Sequence, residues 1–89
     1  MDDVDELAYI KLKLAAAERQ EKRVREALVI ENGTAKRLRQ AIEGSQVLLA
    51  PLRRLLVTLE ADPRDVDFVE ARDLVRRAVK ILDDALDGT

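Results

Sequence analysis

An all-α chain, folded as an antiparallel three-helix hairpin or bundle with coiled-coil-like seams and disposed to oligomerise, is what this sequence predicts. Three observations carry the expectation. Leu, Ala, Val and charged residues dominate while Tyr9 and Phe68 are the only aromatics, which leaves strands little to build on. Apolar residues recur at alternating spacings of three and four in three separate stretches. Short runs of helix breakers, Asn32-Gly33-Thr34 and Asp62-Pro63, separate those stretches. At 89 residues the chain suits a single domain.

The first helix is expected from about 4 to 31. Leu7, Ile10, Leu14, Ala17, Glu21, Val24 and Leu28 form a heptad seam broken only by Glu21, whose side chain can reach Arg25 four residues on or set the register of an assembly. Asp2, Asp3 and Asp5 suit its positive N-terminal end. Asn32 and Gly33 tolerate the left-handed backbone of a helix stop, and Thr34 can cap the second helix.

That second helix is expected over 35–60. Its seam is Leu38, Ile42, Ser45, Leu49, Leu52, Leu56 and Leu59, widened by Leu48 and Leu55. The phase survives Gly44 and Pro51, which favours one helix kinked near Pro51 over two. Ser45, on the seam, can bond back to the carbonyl of residue 41. The third helix, 63–87, opens on Asp62 as cap and Pro63 at the first helical position. Phe68, Ala71, Val75, Ala78, Leu82 and Ala85 make its seam, supplemented by Leu74 and Ile81, and Gly88 marks its end. Short turns leave neighbouring helices antiparallel.

Composition narrows function. Cys and His are both absent, which removes thiolate chemistry, the commonest general base and the commonest metal ligand together. Only carboxylates remain, as in Asp83 with Asp84, Asp65 with Asp67 and Glu70, or Asp2 through Glu6, and no calcium-loop pattern accompanies them. The expectation is a chain with no catalytic residue, no cofactor and no metal. No apolar run approaches about 18 residues, so no membrane partner is expected, and the acidic start Met-Asp-Asp-Val-Asp-Glu is unlike a secretory signal, which points to the cytoplasm.

Charge is segregated along the chain. Residues 1–10 hold four acids and no base, residues 11–54 eleven bases against five acids, and residues 55–89 five bases against nine acids. The candidate nucleic-acid contacts are Arg19, Lys22, Arg23 and Arg25 before the first turn and Lys36, Arg37 and Arg39 after it, with only Glu21, Glu26 and Glu31 among them. Without aromatics nearby this surface would grip phosphates and leave bases unread. Candidate self-association residues are Leu28, Val29, Ile30, Val47, Leu48, Leu55 and Val57, apolar positions outside a single stripe. Three adjacent apolar side chains at 28–30 span about 200° of a helix, more than one neighbour covers.

Residues 11–60 resemble the helical region that follows the DNA-binding head in small-terminase subunits, the DNA-packaging proteins of tailed phages. The likeness rests on the helix KLKLAAAERQEKRVREA, the Leu28-Val29 step and the Leu-rich, proline-bearing VLLAPLRRLLVTLE. It implies assembly into dimers or rings and a larger protein partner, a packaging motor subunit, with no catalysis in the small subunit itself. The family's helix-turn-helix head has no room here, so the chain would resemble either the assembly part alone or a minimal member whose DNA contact falls to the basic hairpin corner.

These features support two functional expectations. The first is a non-enzymatic, self-associating assembly or adaptor protein forming a homo-oligomer. The alternative is a small-terminase-like or accessory DNA-binding protein that grips DNA without sequence preference through the basic hairpin corner.

Overall fold

The computed structural model describes residues 3–31 and 35–87, arranged as three helices: α1 (Asp3–Ile30), α2 (Lys36–Ala61) and α3 (Asp65–Asp87). All three pack on one another as a helix bundle, with no strand among the described residues. Cross-helix polar contacts fix the directions. Glu21 meets Gln46, Glu18 meets Arg53 and Lys11 meets Glu60, so α2 descends as α1 ascends. Glu6 meets Arg72 and Gln20 meets Asp83, so α3 ascends beside α1. The long axis of 44 Å matches a 28-residue helix at about 1.5 Å per residue.

The expected seams are the core. In α2 every seam residue from Leu38 to Leu59 is buried, joined by Ala41, and in α3 the six residues from Phe68 to Ala85 are buried. α1 is shallower. Ile10, Ala17 and Val24 are fully covered, and Leu7, Leu14 and Leu28 lie half-buried between them. Glu21 completes that row with its charge at the edge, where one carboxylate oxygen accepts from Arg25 at 3.0 Å and from Gln46 at 3.2 Å. A seam glutamate is therefore tolerated because its carboxylate, on a side chain only 13% exposed, finds partners at the rim of the core.

Three details differ from the sequence reading, while Asp2, the stop at Asn32-Gly33, the cap at Thr34 and the end at Gly88 lie outside the described residues. The N-cap position of α2 is held by Ala35, whose side chain offers no capping bond and whose carbonyl accepts from the Arg39 amide. At the next corner Asp62 belongs to the end of α2, since its amide donates to the Thr58 carbonyl at 2.8 Å. Pro63 explains this: the residue before a proline is pushed out of helical backbone, and Asp62 sits at φ −150, ψ 88. Helix α3 accordingly begins at Asp65, with the Arg64 carbonyl accepting from Phe68, and Asp62 pairs with Arg64 instead of capping. Finally Ser45 donates to the carbonyl of Ile42 at 2.8 Å, three residues back instead of four.

Helix α2 runs unbroken through Gly44 and Pro51. Proline at position 51 deprives the Val47 carbonyl of its donor, and that side of the helix is the outer one, where water can serve it.

Leu52 is fully buried midway along the α2 row. Leu52→Ala should lower unfolding free energy by about 2–5 kcal/mol in chemical denaturation. A loss well under 1 kcal/mol would mean that the row is not the centre of the core.

Candidate interaction surfaces

The hairpin corner gathers the cations as antiparallel geometry requires. Arg19, Lys22, Arg23 and Arg25 stand near the end of α1 and Lys36, Arg37 and Arg39 at the start of α2, so both arms share one end of the molecule. They do not share one side. Arg19 and Arg23 line a hollow against Val79 and Asp83 of α3. Arg25 turns the other way, toward α2, through its pair with Glu21 and the Glu21–Gln46 bond.

Folding also brings acids that chain order keeps far away. Because α3 ascends with α1, its acidic last turns arrive at the same end. Asp83 accepts from Gln20 at 2.6 Å beside Arg19 and Arg23, and Asp84 lines a hollow with Arg37. Asp83, Asp84 and Asp87 also border Lys13 and Lys80. The seven cations, which face three acids along the chain, thus gain Asp83 and Asp84 as neighbours in the bundle. The positive field is partly neutralised, because acids standing among cations reduce the potential felt at a distance. The same placement accounts for acids at the unfavourable, negative end of a helix dipole, since neighbouring cations compensate them.

The apolar candidates separate into three places. Leu28 is half-buried against the core, while Val29 and Ile30 are 75% and 81% exposed at the end of α1. Val47, 72% exposed, stands with Leu48 and Leu55 on the outer side of α2 next to α3. Val57 does not join them. It lies ten residues on, about 80° around the helix, toward the side where Arg53 and Glu60 meet α1.

Between α2 and α3 the outer side forms an open apolar groove. Two adjoining hollows of about 350 and 460 Å³ share Gly44 and Ile81 as their floor. Val47 and Leu48 line one wall, and Arg77 and Lys80 stand on the other. Leu55 and Leu74 extend the apolar lining, both half-buried. Gly44, Ile81, Arg77 and Lys80 were not among the sequence candidates. A faint signal for Ile81 existed, because it stands beside the α3 seam without being part of it.

Asp83 is bonded to Gln20 and Asp73 to Arg77, and among the described residues no group of three acids could hold a metal ion. No described helix is long and apolar enough to cross a membrane. Searches against family models, curated proteins and solved structures find no match for this chain.

The neutralised corner has a measurable consequence. Changing Asp83, Asp84 and Asp87 together to Asn keeps the acceptor oxygen that Gln20 uses and removes three negative charges. Titration with duplex DNA at low salt should show binding tightened on the order of tenfold over the unaltered chain, with a steeper salt dependence. Equal affinity of the two proteins would mean that the acids do not mask the cations.

Proposed function

We propose that this chain is a non-catalytic helical assembly module that associates with itself through apolar helix surface left over after the bundle has formed. One observation carries the reading: the open groove between α2 and α3, lined by Val47, Leu48, Leu55, Leu74 and Ile81. None of the three described helices covers that strip, and apolar surface of this kind is the usual substrate of association. The likeness of residues 11–60 to small-terminase assembly helices supports the same reading, and a larger protein partner would then receive the assembled module.

DNA binding is the second reading, and the cations around the corner favour it. One copy offers only a weak grip because Asp83 and Asp84 stand among them. Several copies would add their grips through multivalency, so on this reading too assembly comes first.

Light scattering at micromolar concentration should give a mass at least twice the 10.0 kDa of the chain. Melting temperature should rise with protein concentration, because association stabilises the folded state by mass action. A strictly monomeric mass with concentration-independent melting would reject the proposal.

A further inference from the structure

We infer that a second copy of this chain covers the outer α2–α3 face, lying antiparallel about a two-fold axis at the level of Ala50 and Val75. The inference rests on the self-association proposed above and adds to it a surface, an orientation and a pairing of charges.

Gly44 is the first observation. Glycine weakens a helix interior, and here it lies well inside α2. The single chain gives no reason for it. A Cβ added there would meet Ile81 Cδ1 at 3.7 Å and Cγ2 at 3.9 Å, ordinary contact distances. What the missing side chain does provide is a dip in the groove floor between Leu48 and Ile81. Small residues at such a place let another helix approach closely.

The second observation is the order of charge over the middle of the exposed side of α3: Glu70 and Asp73, then Arg77 and Lys80, with Asp73 and Arg77 also paired within the helix and Asp84 one turn beyond. Two acids followed by two cations make a helix complementary to its own reverse. At about 100° per residue, Glu70 and Arg77 lie on the flank nearer α2, and Asp73 and Lys80 about 60° farther round, from where Lys80 still reaches the groove. In an antiparallel pair each flank meets the same flank of the other copy. An axis near Val75 then brings Glu70 within about one helical turn of the second copy's Arg77 and Asp73 within about one turn of its Lys80, within reach of these long side chains, four ion pairs in all by symmetry. A parallel pair would set like charges opposite like.

The two observations meet at one axis. Gly44 faces Ile81, so in these antiparallel helices the level of Val75 on α3 is that of Ala50 on α2. Gly44 and Leu55 stand almost equally far to either side of Ala50. The rotation that pairs the charges of α3 therefore places Leu55 of each copy over the Gly44 dip of the other, with Leu48 and Pro51 meeting between them. Charge order on one helix and a large residue opposite a missing side chain on the other select the same geometry independently.

Charge reversal tests the pairing. Arg77→Glu with Lys80→Glu makes all four of these positions acidic, and Glu70→Arg with Asp73→Lys makes all four basic. By analytical ultracentrifugation each double variant should show a dissociation constant raised at least tenfold, and an equimolar mixture of the two should form heterodimers. The quadruple variant, which restores alternation with the signs exchanged and keeps an opposite-charge pair at positions 73 and 77, should pair with itself again. Gly44→Ala should raise the melting temperature of the monomeric Arg77→Glu, Lys80→Glu protein yet weaken pairing in the otherwise unaltered chain. An unaltered chain that is monomeric overturns the proposed self-association, and this pairing with it. An unaltered chain that associates while both double variants associate equally well, or while their mixture forms no heterodimer, overturns the pairing alone.

Discussion

The leucine row of α2 has to be covered by two helices at once, and the rest of the bundle is arranged around that requirement. Leu38, Leu49, Leu52 and Leu59 are shielded completely, which no single neighbouring helix achieves for a row so long and, with Leu48 and Leu55 beside it, so wide. α1 closes one flank with Ile10, Ala17 and Val24, and α3 closes the other with Phe68, Val75 and Leu82. Both outer helices present small residues as well, Ala17 on α1 and Ala71, Ala78 and Ala85 on α3, so the leucines of α2 can enter between them. Ser45, the one polar residue in the row, is accommodated because the Ile42 carbonyl takes its proton in a hydrogen bond.

Polar contacts decide alignment more than stability. The pairs Glu18–Arg53, Lys11–Glu60 and Glu6–Arg72 are spread along the bundle and mostly solvent-exposed, so each contributes little energy. Together they oppose sliding of one helix along another, because a shift of one turn would separate opposite charges at several levels. The parallel course of α1 and α3 has a larger electrostatic effect. It carries the acidic end of α3 to the cations of the hairpin, leaving a corner of mixed sign where chain order alone suggests a basic one.

The proposed assembly rests on apolar surface. That surface is divided. The strip between α2 and α3 is long and flanked by charges of both signs, whereas Val57 stands apart toward α1 and Val29 and Ile30 project from the end of α1. The proposed assembly uses the strip, where shape and charge act together. The isolated side chains call for no such account, since scattered exposed hydrophobics are normal on a folded protein.

Periodicity in this sequence determined the elements and their inward faces. A heptad phase is a local property, so Leu38 through Leu59 and Phe68 through Ala85 could be assigned without knowing what they touch. Composition likewise ruled out chemistry that depends on cysteine or histidine. Helix limits were less legible. At Asp62-Pro63 two local rules compete, and the constraint that proline places on the preceding residue prevailed over capping. Tertiary structure alone decided what lies beside what. Charge counted along the chain made the corner basic, but Asp83 and Asp84, far beyond the hairpin in chain order, stand among its cations in space. Ile81 acquires its place over Gly44 only when α3 has packed. Electrostatic and packing partners are set by distance through space, and chain order reveals distance only within a turn or two of helix.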